Sequence, residues 1–132
     1  MTDIASRAAT PTVAAESLLV ACLCADWCNV CQDYRSRFEQ VMQSLKAVHP
    51  QIDFVWVDIE DEDALLHPLD VDNFPTVLIA HGDAPLFFGA IAPMASTLER
   101  LVRKHLSGPT ASPLNQPDVA RAVGRIRQAK WA

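Results

Sequence analysis

The stretch that decides the fold is Leu18-Leu19-Val20-Ala21-Cys22-Leu23-Cys24-Ala25-Asp26-Trp27-Cys28-Asn29-Val30-Cys31. Its first seven residues are continuously apolar. That pattern suits a strand buried on both faces. Ala25-Asp26-Trp27 turns the chain out of the strand. From about Cys28 to Val48 the apolar residues Val30, Tyr34, Phe38, Val41, Met42, Leu45 and Val48 recur at three- and four-residue steps, the period of an amphipathic helix. Pro50 ends it. Two cysteines three apart thus sit at a strand-to-helix turn, where unpaired amide N–H groups and the helix dipole favour a thiolate.

Working outward, Ile52–Ile59 reads as a second strand and Asp61–Leu66 as a short helix closed by His67-Pro68. Thr76–Ala80 reads as a third strand. His81-Gly82-Asp83 forms a hairpin turn into a returning strand, Leu86–Phe88, which Gly89 interrupts. A helix from about Pro93 carries Leu98, Leu101, Val102 and Leu106, and Gly108-Pro109 stops it. Thr110–Pro117 is a Pro/Ser/Asn-rich linker. Asp118 caps a last helix, Val119–Ala129, with Val119, Val123 and Ile126 along one face. Residues 1–17 are weakly patterned. An alternating start followed by a hairpin implies a mixed parallel and antiparallel sheet of four to five strands flanked by helices, an α/β class with an extra C-terminal helix. Residues 1–108 form the expected domain, and 109–132 a linker and helix packed on the same domain.

The chain has 132 residues and a net charge of −5. Residues 1–106 sum to −8 and residues 107–132 to +3. An acidic body lacks the basic footprint that nucleic acid demands, so no nucleic-acid partner is expected. The run Leu18–Cys24 is too short to cross a membrane, and the N-terminus has no apolar stretch of signal-peptide length. The expectation is a cytoplasmic protein without a membrane partner. In a reducing compartment a close cysteine pair is more often catalytic or metal-binding than structural.

By itself, Cys28-x-x-Cys31 is either a redox pair or half a zinc site. A four-cysteine site at Cys22, Cys24, Cys28 and Cys31 lacks the second C-x-x-C knuckle, and no metal site is expected. Cys22 and Cys24 share one strand face and are read as small buried hydrophobes. The four histidines are scattered without ligand spacing.

A set of motifs narrows the choice. Ala25-Asp26-Trp27-Cys28-Asn29-Val30-Cys31, Val57-Asp58-Ile59-Glu60, Phe74-Pro75-Thr76, Gly82 and Gly89-Ala90 follow one another over about residues 18–106. In order and spacing the sequence resembles thioredoxin. The resemblance implies the thioredoxin-like fold and a protein-disulfide oxidoreductase. In it Cys28 is the nucleophile, Cys31 the resolving thiol, and the two form the redox disulfide. It implies a cis Pro75 opposite the pair. Trp27, Phe74 and Pro75 would line the substrate groove, with the backbone of Phe74 pairing with an extended client segment. No bound cofactor is implied; partners would be protein disulfides and a reductase as electron donor.

The departures from that pattern are specific. Asn29-Val30 stands where thioredoxins usually have Gly-Pro, and Gln32 where they have a basic residue. Cys22 occupies the place of a buried proton-carrying Asp, whose Lys partner falls near Trp56. Asp26 or Asp58 could substitute as proton carriers, or both are solvated acids. Cys24 replaces an aromatic residue and is expected to be inert rather than a partner in an alternative disulfide. These departures also admit a thioredoxin-fold adaptor or co-chaperone with little reductase turnover.

Overall fold

The computed structural model describes residues 17–106 and 113–131. The readings for the first sixteen residues and for Gly108-Pro109 fall outside that range. The elements are β1 (Leu18–Cys24), α1 (Asn29–Val48), β2 (Ile52–Asp58), α2 (Asp63–Leu66), β3 (Thr76–His81), β4 (Ala84–Ala90), α3 (Ala95–Leu106) and α4 (Pro117–Trp131). The described strands form one four-stranded sheet in the order β2-β1-β3-β4. β1 pairs parallel to β2 and antiparallel to β3, and β3 pairs antiparallel to β4.

β1 lies between two neighbours and is buried along its whole length, as its unbroken apolar run requires. The two-residue period divides its side chains between the faces of the sheet. Leu18, Val20, Cys22 and Cys24 join Tyr34, Phe38, Met42, Leu98 and Val102 from α1 and α3. Leu19, Ala21 and Leu23 join Val119, Ala122, Val123 and Ile126 from α4. The last helix therefore covers this face of the sheet, with Leu66 of α2 beside it.

Several boundaries shift. The buried stripe of α1 is Cys31, Tyr34, Phe38, Met42 and Leu45, while Val30 and Val48 are exposed. Gly89 does not interrupt β4; it pairs with Val77. The irregularity in that hairpin instead lies between Ile79 and Ala80, where the register shifts opposite Pro85. Proline lacks a ladder donor, so an edge strand with a bulge accommodates it. Gly82 makes the turn at φ 60°, in the left-handed region that favours glycine. Asp118 sits inside the first turn of α4 rather than capping it from outside, because Pro117 takes the first helical position. No described helix is long and apolar enough to cross a membrane.

Candidate active site

The site begins where β1 ends. The turn Ala25-Asp26-Trp27 is braced by Asp58 at the end of β2. One oxygen of Asp58 accepts the amides of Glu60 and Asp61, both at 2.9 Å, and the other accepts the amide of Asp26 at 3.2 Å. These donors stabilise the ionised form and hold the Asp58 carboxyl below its ordinary range, the Asp61 amide contributing most. Its neighbour Asp26 moves the opposite way: a side-chain hydrogen bond to Asp58 and the negative charge there raise it. Asp26 is exposed at the surface. Asp26, Asp58 and Asp61 thus gather into an acidic wall beside the turn.

Cys28 is the N-cap of α1, in extended backbone conformation (φ −89°, ψ 121°). Its amide donates to the Ala25 carbonyl at 3.1 Å, and its carbonyl accepts from Gln32 at 3.0 Å. Gln32 also ties the turn from its side chain, donating to the Asp26 carbonyl at 2.6 Å. The Cys28 thiol is free and half-buried. Cys31 lies in the first turn of the helix and is 1% exposed.

Here the structure corrects two expectations. Cys31 is bonded to Cys24, not to Cys28, with Cα atoms 5.8 Å apart; the expected Cys28–Cys31 disulfide is not the one present. The physical reason lies in where each Cβ points. Cys24 is the last inward-facing residue of β1, and Cys31 is the first residue of the buried stripe of α1, so both sulfurs enter the same core. Cys24 is therefore not an inert small hydrophobe. Cys22, two residues back on the same face, fits that description: it is fully buried and free, and burial pushes its thiol strongly up. With Cys24 and Cys31 joined, the four cysteines do not make a thiolate set.

The other expected site residues lie at the same end of the sheet as Cys28, where Leu23 of β1 pairs with Thr76 of β3. Trp27 is 62% exposed. Its indole N–H donates to Glu60 at 2.9 Å, and its ring meets Phe74 edge-on, with centroids 5.5 Å apart. The Phe74-Pro75 bond is cis, and the Pro75 carbonyl accepts the Ile91 amide at 3.0 Å. Exposed Val30 adds a further apolar surface to this end of the sheet.

A second cleft lies to the side of the helix cap. Ala25, Asp26, Cys31, Gln32, Arg35 and Trp56 line it. The Arg35 guanidinium lies over the Trp56 ring at 5.4 Å. A positive charge thus stands beside the position where the family pattern leads one to look for a lysine. Sequence reading missed Arg35 because its spacing matches an ordinary exposed helix position, one turn before its ion-pair partner Glu39.

A mixed sheet whose central strand runs into a cysteine-bearing helix cap, with a cis-proline loop at the same end of the sheet, defines a thioredoxin-like fold. The family model described as Thioredoxin matches residues 6–102, and the chain belongs to the thioredoxin family. Among solved structures the chain is similar to the germline-specific thioredoxin Deadhead of Drosophila melanogaster, at 18% identity and a TM-score of 0.60, covering 77% of this chain and 90% of that one. It is similar to Fasciola hepatica thioredoxin at 18% identity and a TM-score of 0.59, covering 77% and 93%. Human ERp44 gives 18% identity and a TM-score of 0.62 over 75% of this chain and 30% of that one. No curated protein sequence matches. The family match ends before α4 begins.

Proposed function

We propose that this protein is a thiol–disulfide oxidoreductase that reduces or exchanges disulfides in other proteins, with Cys28 as the entry nucleophile. The observation that carries this reading is the state of Cys28: a free, half-exposed sulfur at the N-terminus of a twenty-residue helix, beside an apolar ledge made by Trp27 and Phe74. The cap position leaves that sulfur open to a client chain, and the ledge offers the client apolar contact. Cys28 attacks one sulfur of the client disulfide, forming a mixed disulfide and releasing the other client sulfur as thiolate. When Cys31 is reduced, it attacks the Cys28 sulfur and frees the second client thiol. Trp27, Phe74 and Pro75 form the client groove. A reductase dithiol supplies the electrons, and the reaction needs no bound cofactor.

One observation favours an adaptor instead. While Cys31 is held by Cys24, a client captured on Cys28 faces no resolving thiol, and the protein then acts as a binding module.

Insulin reduction coupled to a thioredoxin reductase separates these readings. The oxidoreductase reading expects turnover that falls to background in Cys28→Ser. Stable client binding without turnover by the wild-type protein supports the adaptor.

A further inference from the structure

The bond between Cys24 and Cys31 brings a third sulfur into the exchange path. Cys31 is the shared partner: it lies in the first turn of α1, three residues after the Cys28 cap, and is covalently joined to Cys24. Both members of that disulfide are essentially inaccessible, Cys24 at 0% and Cys31 at 1% exposure. A client protein can therefore touch Cys28 but not the bond beneath it. The Ala25 amide donates to the Cys31 sulfur at 3.4 Å. A donor aimed at that sulfur stabilises the negative charge it carries whenever it attacks or leaves. The fourth cysteine stands apart. Cys22 lies deeper on the same strand face, remains a free thiol, and is held neutral by burial.

We infer that Cys24 is a redox-active residue, the innermost member of a three-cysteine relay that runs Cys28, Cys31, Cys24. The inference rests on the reading of Cys28 as entry nucleophile. Starting from three thiols, Cys28 attacks the client disulfide, bonds to one client sulfur and expels the other. Cys31 attacks the Cys28 sulfur; the Cys28–Cys31 bond forms and the second client thiolate leaves. Cys24 then attacks the Cys31 sulfur; the Cys24–Cys31 bond forms and Cys28 leaves as thiolate. The client has gained two electrons and two protons, and Cys24 and Cys31 have lost them. Recharging retraces the path. Cys28 attacks Cys31 and frees Cys24, then an external dithiol attacks the exposed Cys28 sulfur and is itself oxidised to a disulfide.

The relay has a consequence that a two-cysteine pair lacks. The oxidised protein still presents a free thiol at Cys28. It can add a second client while storing the oxidising equivalents of the first, and that adduct persists until an external thiol attacks the Cys28–client bond.

The test is a disulfide map of the oxidised protein. The reduced chain is oxidised with one equivalent of diamide, blocked with N-ethylmaleimide under native conditions, and cut before its aspartates. The cuts separate residues 3–25, which carry Cys22 and Cys24, from residues 26–32, which carry Cys28 and Cys31. The expected wild-type product is a cross-link between the two peptides through Cys24 and Cys31, with maleimide on Cys28. In Cys24→Ser the 26–32 peptide should carry an internal disulfide, and labelling of Cys28 should fall about tenfold or more. Cys24→Ala gives the same readout should a hydroxyl at this buried position unfold the chain. An internal Cys28–Cys31 disulfide in the wild-type protein, or a cross-link through Cys22, overturns the relay. If Cys28→Ser abolishes turnover in that case, the oxidoreductase reading stands alone; if Cys28→Ser turns over normally, both fall.

Discussion

The two faces of the sheet are built from alternate residues of the same strand, yet they do different work. The face toward α1 and α3 carries Cys22, Cys24 and Cys31, together with Tyr34, whose buried hydroxyl has no hydrogen-bond partner among the described residues. The face toward α4 is aliphatic apart from Phe88 at its margin. The first face lies within the family match and holds the cysteines; the second is covered by a helix beyond it. The difference teaches that α4 stabilises the fold without entering the site, so damage to the two faces should separate into loss of stability and loss of turnover.

The largest stability effect is expected on the α4 face. Ile126→Ala removes a fully buried side chain and should cost about 2–4 kcal/mol. Urea denaturation measures the cost. In the fraction still folded, alkylation of Cys28 should proceed at the wild-type rate. A strong loss of Cys28 reactivity in the folded variant would erase the separation between the faces.

Next comes Arg127, which ties α4 to the opposite end of the sheet. Its guanidinium donates to the Gly82 carbonyl at 2.9 Å, to the Ser17 hydroxyl at 2.8 Å and to the Ser17 carbonyl at 3.2 Å, and it lies 3.5 Å from Asp53. Arg127→Met keeps the stem and deletes these bonds. The expected cost is about 1–3 kcal/mol, read from the same denaturation midpoints. Burial lowers the Arg127 pKa, but Asp53 and Asp83 oppose that shift, so the group stays charged.

The smallest effect belongs to the thiol-bearing face and is pH-dependent. His105, buried near the end of α3, is held below the ordinary histidine range, first by desolvation and then by the charge on Lys104. As pH falls, the unfolded chain takes up a proton before the folded chain does. The stability tied to His105 is complete above about pH 6.5 and is lost as pH drops through the depressed folded value. His105→Gln should flatten that loss, measured as the difference between unfolding midpoints near pH 7.5 and near pH 5. An unchanged difference would remove His105 from the account.

The strand-to-helix unit was legible because Leu18–Cys24 and the α1 stripe each satisfy one period cleanly, and the hairpin because Gly82 marks its turn. The fate of Gly89 was not legible. A glycine in a strand reads as a break, whereas β4 carries it through as an ordinary paired residue. Cys28, Trp27, Phe74 and Pro75 were singled out by motif as the expected site, and the pairing of β1 with β3 brings all four to one end of the sheet. The pairing of Cys31 escaped because spacing along the chain makes Cys28 its nearest cysteine. Which sulfur it meets depends on Cβ direction: Cys24 ends an inward-facing strand row just where the inward stripe of the helix begins. Motif spacing carries no record of that tertiary coincidence.

The central claim is that chemistry enters this protein through Cys28. The most direct test is competitive alkylation of the fully reduced native protein with limiting iodoacetamide, followed by mapping of the label on all four cysteines. The account predicts that Cys28 reacts about tenfold or more faster than Cys22, Cys24 and Cys31, as the accessible sulfur at the helix terminus. Label appearing on Cys24 or Cys31 as fast as on Cys28 would contradict it.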